Sequence, residues 1–290
     1  MVKDTKIVTF IKIIYQSMVN TIKHDGIEHA GYLSFLLMLA IFPFLVFFTA
    51  IIGTLSNLVD IPLVTTLTNV IINSSWASFI DSLKPRIIEI TTLPPQNFLT
   101  IAIISAIWTA SSIFEGIRTT LNRAYNIKNP PAYLFRRLFS ILEFIIVIII
   151  LAVVILILIV IPAIWNFLEK HIIIPDTQII SLIDRDLEVL RSAILYLFSI
   201  IFVSYLYYSL LNKKQKFIKI LPGTVLVLFC WAIFSKIFKY YISYFSQINM
   251  IYGSIAGVII SLLFFYFCSL ILIYGAEFNY LFESKFKKKK

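Results

Sequence analysis

Residues 144–165 read FIIVIIILAVVILILIVIPAIW, an unbroken stretch without one charged side chain. A helix crossing the hydrocarbon core of a bilayer needs about 20 predominantly apolar residues. This run meets that length with Ile, Val and Leu almost alone. Five further segments qualify on either side of it. Upstream lie Gly31–Leu55, also free of charge, and Phe98–Phe114, bounded by Pro94–Pro95 and by Glu115. Downstream lie Ser192–Leu211, a segment from Ile220 to Tyr244 that carries Lys236 and Lys239, and Ile251–Ala276. Trp165, Tyr205, Tyr207, Tyr208, Tyr240, Tyr241 and Tyr244 fall near the ends of these segments, where amphipathic rings favour the headgroup region. The first segment is far longer than the apolar core of a cleaved signal peptide.

Composition agrees with this reading. The chain has 290 residues, of which 60% are hydrophobic and 14% charged, and its mean hydropathy is +0.93. A soluble fold of this size has too few polar residues to cover so much apolar surface. Disorder is excluded because low hydrophobicity is its signature. Eight glycines and no short repeat exclude a collagen-like chain. The expected fold is therefore all-α, a polytopic bundle of six transmembrane helices spanning residues 31–283. An amphipathic segment (1–30) precedes it and a basic tail (284–290) follows. Cys230 and Cys268 lie far apart inside apolar runs and read as packing residues rather than a redox pair.

The net charge of +10 would point to nucleic acid in a soluble protein. Here it reports orientation, because Lys and Arg are retained on the cytoplasmic side. Alternating loops carry four basic residues before the first span, five after the second, four after the fourth and five in the tail, 18 on one side. The other side carries two, three and none, 5 in all. Both termini are thus expected in the cytoplasm. No nucleic-acid partner is implied.

Two flanking regions read as folded. From Thr5 to Lys23 the polar residues Thr5, Thr9, Lys12, Gln16, Asn20 and Lys23 recur every three or four positions. That spacing predicts an amphipathic helix, suited either to an anionic leaflet or to packing on neighbouring protein. In the loop Ser56–Asn97, Leu63, Leu67, Val70 and Ile71 share one helical face. Trp76, Phe79, Ile80 and Leu83 share another before Pro85. Two short amphipathic helices are expected there. The loop between the third and fourth spans is acidic, with Glu169, Asp176, Asp184, Asp186 and Glu188.

Metal-dependent hydrolysis needs clustered ligands. His24 and His29, five residues apart, fall on different helix faces, and His171 belongs to the opposite side of the membrane. No HExxH, CxxC, phosphate-binding loop or GxSxG occurs, so neither an enzyme nor a cofactor is expected. Ionisable residues near membrane depth are the stronger lead. Glu115 closes the second span, Glu143 opens the third and Glu277 closes the sixth, while Lys236 and Lys239 lie toward the outer end of the fifth. They form either a polar pathway or interfacial ion pairs with Arg118, Arg123, Arg136 and Arg137, and the second is favoured. Pro43 should kink the first span. Pro222–Gly223 opens the fifth. Gly253 and Gly257 form a GxxxG in the sixth that suits close helix packing.

Asp25–Gly53 (DGIEHAGYLSFLLMLAIFPFLVFFTAIIG), Gly116–Ile127 (GIRTTLNRAYNI), Leu221–Gly223, Tyr252–Gly257 (YGSIAG) and Tyr274–Asn279 (YGAEFN) together resemble the signatures of the YihY/BrkB family of bacterial inner-membrane proteins. The resemblance runs from about residue 20 to 283 with order and spacing kept. It implies six transmembrane helices in a bacterial inner membrane and supplies no settled activity; members have been labelled ribonuclease-like and virulence-associated. The signature residues it carries over are Asp25, Pro43, Asn122, Tyr125, Pro222, Gly223, Tyr252, Gly253, Gly275, Glu277 and Asn279, candidates for a site or for helix packing.

Three functions compete. Transport or permeation of a small solute, an ion or a lipid-like molecule leads, since the bundle is Pro-kinked and glycine-jointed with carboxylates near one mouth and lysines near the other. A non-catalytic envelope or scaffold protein, acting through partner binding, is the alternative. A membrane nuclease comes third, for want of metal ligands. The expected partners are the bilayer and anionic lipid at its cytoplasmic face. Protein partners are open, a homo-oligomer among them.

Overall fold

The computed structural model describes residues 6–41, 96–127, 131–171, 177–213, 215–245 and 254–287, and no strand occurs among them. The helices in chain order are α1 (Lys6–Lys23), α2 (Gly26–Ile41), α3 (Gln96–Ala124), α4 (Tyr133–His171), α5 (Thr177–Ser209), α6 (Leu221–Phe245) and α7 (Ser254–Lys287), with a 3-10 turn at Phe217–Lys219 before α6. Among the described residues three segments are long and apolar enough to cross a membrane: Ser192–Ser209, Leu221–Ile242 and Gly257–Lys285. The chain is a helical membrane protein. The expected helices of the 56–97 loop, together with Pro43, Tyr252 and Gly253, lie outside the described residues.

The helices overrun the apolar windows that announce them. Helix α3 continues past Glu115 to Ala124, α4 begins at Tyr133 well before Glu143, and α7 continues past Glu277 to Lys287. Glu115 and Glu277 therefore sit inside helices and do not close them. Hydropathy ends where charge appears, but Glu, Lys and Arg are good helix formers and the backbone ladder runs on through them. At the N-terminus the structure also differs from a single amphipathic segment over 1–30. Helix α1 stops at Lys23, and a new helix starts at Gly26.

The chain divides into two compact units. The first comprises Met1–Ile41, Trp108–Ile141 and Ile200–Lys290. In it α6 and α7 run antiparallel. Gly223 meets Asn279 at one end, the Trp231 indole N–H donates to the Cys268 carbonyl at 3.1 Å, and the Phe234 and Phe238 rings pack on Phe264 further along. The glycine end is the tight one. A Cβ at Gly275 would collide with Val227 and stand 2.5 Å from the Tyr207 hydroxyl and 3.2 Å from the Gly223 carbonyl. That hydroxyl donates to the Leu272 carbonyl at 2.6 Å and ties α5 to α7. At Gly257 an added Cβ would meet nothing within 4 Å, so the chain's own described helices make no close approach there. The second unit comprises Phe42–Ile107 and Leu142–Ser199; its described parts are stretches of α3, α4 and α5, with Phe144 and Ile148 buried.

Candidate functional site

The first unit gathers most of the polar signature residues. At the α1–α2 joint, Asp25 adopts a left-handed backbone (φ 56°), a conformation that Asp and Asn tolerate better than other non-glycine residues. Its N–H donates to the Ile22 carbonyl at 3.2 Å, as in a helix C-cap. Gly26 follows because a side chain would stand 2.6 Å from the Thr21 carbonyl. The Asp25 carboxylate pairs with the Arg123 guanidinium of α3, both half-exposed. Helix α3 ends in the same way. Asn126 is left-handed (φ 54°), its N–H donates to Arg123 at 2.9 Å, and the Ile127 N–H donates to Asn122 at 2.8 Å. This is a Schellman cap.

One residue before that joint, His24 meets Glu277 of α7, with Nδ1 2.6 Å from Oε1. Glu277 has no exposed surface, whereas the His24 side chain keeps 36% of its own. Asn20, one turn earlier, also lies beside the carboxylate. Glu277 Oε2 has no hydrogen-bond partner among the described residues. A buried acid in an apolar helix is costly unless paired, so this placement makes Glu277 the centre of the site.

Asn279, two residues on, accepts the Gly223 N–H at 2.7 Å through Oδ1. Asn122 accepts the Asn212 N–H at 3.1 Å through Oδ1. In both amides the oxygen is fixed by a backbone donor. The two Nδ2 groups, both buried, are left without a partner among the described residues. Tyr125 stands edge-on to Tyr280, with ring centres 5.5 Å apart, and the Lys213 ammonium lies 5.9 Å from its ring centre. Burial pushes the Tyr125 phenol up from its ordinary value; a hydrogen bond with Gln215 works against this, and the carboxylates of Glu283 and Glu277 reinforce it. Glu283 in turn takes Lys219 at 2.9 Å and Lys213 at 3.5 Å.

The remaining candidates stand apart. Glu115 pairs with Arg118 at 3.7 Å and Arg136 at 3.3 Å, and the Ser140 hydroxyl donates to it at 3.4 Å. Arg137 donates to the Ser112 hydroxyl at 3.0 Å and stacks over the Trp108 ring at 4.2 Å. Of the arginines expected to serve carboxylates of the spans, Arg123 instead takes Asp25 and Arg137 a hydroxyl and a ring. Lys236 and Lys239 are exposed on α6, and Pro222 lies in the first turn of that helix.

Sequence reasoning missed His24 by weighing it only as a metal ligand. Its position just before the Asp25–Gly26 dipeptide, a turn signal, could have placed it at a helix joint. Among the described residues no three His, Cys, Asp or Glu side chains stand together where they could hold a metal ion.

The chain is 27% identical over 269 residues, covering 91% of its length and 92% of the relative's, to a Bacillus subtilis (strain 168) protein described as "Putative ribonuclease-like protein YfkH". No solved structure matches. The family model described as virulence factor BrkB matches residues 18–290, nearly the whole chain with every polar signature residue of the cluster inside it, and the protein belongs to that family.

Proposed function

We propose that the protein spans a bacterial inner membrane six times with both termini in the cytoplasm. In this reading it moves a small solute, an ion or a lipid-like molecule and catalyses no chemical reaction. The observation that carries it is Glu277, a wholly buried carboxylate in an apolar helix with one oxygen on His24 and the other without a partner among the described residues. An ionisable group at such a position is costly and points by default to a polar pathway. The amide nitrogens of Asn279 and Asn122, buried and left over after their oxygens are used, add donors to the same end of the bundle. The 18-to-5 division of Lys and Arg between alternating segments supports the orientation.

Flux of ions and small solutes into proteoliposomes tests the transport reading. Saturable flux that Glu277→Gln abolishes is the expected result. No flux across a broad panel, from protein shown to be folded, would sink it. The name of the Bacillus relative asks for RNA cleavage instead. Purified protein incubated with RNA and Mg²⁺ is expected to leave it intact, and cleavage that co-purifies with the protein and responds to its substitutions would overturn the non-catalytic part.

A further inference from the structure

Helix α1 is built inside out for a helix in water. Among its described side chains the buried ones are Ile13, Ser17 and Thr21, and the Ser17 and Thr21 hydroxyls donate one turn back, to the carbonyls of Ile13 at 2.7 Å and Ser17 at 2.9 Å. The contacts on α7 are an edge-on pair of Phe10 with Phe278 and the Tyr274 hydroxyl on the Ile14 carbonyl at 3.3 Å. To these are added the Lys285 ammonium on Gln16 at 2.8 Å and the His24–Glu277 pair. Val8, Ile11, Tyr15, Met18 and Ile22 face outward, and Tyr15 is 67% exposed. Their spacing of three, four, three and four residues makes one continuous stripe along the helix. In water the hydroxyls would lie outside and the aliphatic stripe inside. The reverse arrangement fits surroundings less polar than the protein itself.

The charge on α1 decides what those surroundings are. The helix carries Lys6, Lys12 and Lys23 and no acidic residue. A second copy of α1 laid on the stripe would bring lysines together with no carboxylate on either helix to pair them. Anionic headgroups complement them instead. The 3-10 turn repeats the pattern, for Ile218 is 76% exposed and Phe217 nearly half within the run Lys213–Lys219, which holds four lysines. Lys213 and Lys219 of that run are fastened to Glu283 of α7, the helix on which α1 also lies.

We propose that α1 is an interfacial helix on an anionic leaflet. The stripe Val8, Ile11, Tyr15, Met18 and Ile22 enters the upper acyl region, Lys12 stands among the headgroup phosphates, and Phe217–Ile218 makes a second point of contact. This goes beyond the transport reading and holds whether or not flux is found.

The test uses the full chain with Cys230 and Cys268, both free thiols, replaced by Ser. Single probes are placed at Tyr15→Cys, Met18→Cys and, as a buried reference, Ser17→Cys. Each protein is labelled with an environment-sensitive fluorophore and reconstituted in phosphatidylcholine vesicles with or without phosphatidylglycerol. Nitroxides at a shallow acyl position should quench the Tyr15 and Met18 probes at least about twofold more than aqueous iodide does, as expected for a helix buried to the headgroup–acyl boundary. Quenching should deepen with phosphatidylglycerol and weaken in Lys12→Glu. Dominant quenching by iodide overturns the proposal. So does shielding from both quenchers with Met18→Cys crosslinking between copies, which would assign the stripe to self-association. Equal lipid quenching with and without phosphatidylglycerol overturns the anionic preference.

Discussion

Glu277, with no surface exposed, holds its carboxylate 2.6 Å from Nδ1 of His24, 253 residues earlier in the chain. The contact joins the end of an amphipathic helix to the most apolar of the three described spans. Removing the imidazole takes the 2.6 Å partner from a buried carboxylate and leaves Asn20 beside it, a loss of about 1–3 kcal/mol. His24→Ala is therefore expected to lower the unfolding midpoint in detergent micelles. Glu277→Gln should cost less, because a neutral amide is easier to bury. The double variant should fall well short of the sum, and a double-mutant cycle reads this directly. Additive effects would show that the two residues do not act as a pair.

Gly275 and Gly223 let α6 and α7 touch through their backbones. An added methyl at Gly275 runs into Val227 and the Tyr207 hydroxyl, while one at Gly223 stands 2.5 Å from the Asn279 amide. Overpacking of this kind costs about 1–3 kcal/mol. Gly275→Ala is expected to lose stability and to lower the yield of folded protein in membranes. Gly257→Ala, where a Cβ meets nothing within 4 Å, is expected to match the parent. A comparable loss at Gly257 would mean that this glycine packs against another molecule.

Tyr125 supplies a pH dependence with a definite sign. Burial raises its phenol above the ordinary value of 10.0 in the folded chain. The folded state thus holds the proton where the unfolded state has released it. The stabilisation is fully present below about pH 10 and is lost as pH rises toward the folded value. In an absorbance titration, the difference between parent and Tyr125→Phe should show no tyrosinate signal from this residue as the exposed tyrosines ionise. A Tyr125 signal appearing near pH 10 would contradict its burial.

Much of the fold was legible because hydropathy is a long, redundant signal. Phe144–Trp165 announces a helix at every position, α6 matches its apolar window to within one residue at each end, and α7 starts within three residues of its own. Helix ends were less so, since Glu115 and Glu277 interrupt the hydropathy without interrupting the backbone. The candidate site was legible as separate residues only. Asn279 and Gly223 lie 56 positions apart and Asn122 and Asn212 lie 90 apart, and nothing local in either partner names the other. Asp25 illustrates a local signal that went unused. Its dipeptide with Gly26 is a turn signal and its backbone is left-handed, whereas the resemblance offers Asp25 only as a signature residue.

Two carboxylate–arginine contacts in the same unit separate the effect of burial from that of charge. Asp25 and Arg123 are each about half exposed, so water screens the pair, and such contacts contribute about 0–1 kcal/mol. Glu115 is only 12% exposed and faces Arg136 at 17% and Arg118 at 4%. Deleting that carboxylate takes the acid partner from Arg136 in poorly solvated surroundings, which costs about 3 kcal/mol or more. Asp25→Asn, which keeps a residue tolerant of φ 56°, is therefore expected to shift the unfolding midpoint little, whereas Asp25→Val should cost more through the backbone alone. Glu115→Gln should be the most damaging of the three. Arg136→Gln combined with it should recover part of the loss, because the Arg136 charge that the deletion leaves behind is then gone. Equal losses in Asp25→Asn and Glu115→Gln, measured in the same detergent, would show that burial does not set the strength of these pairs.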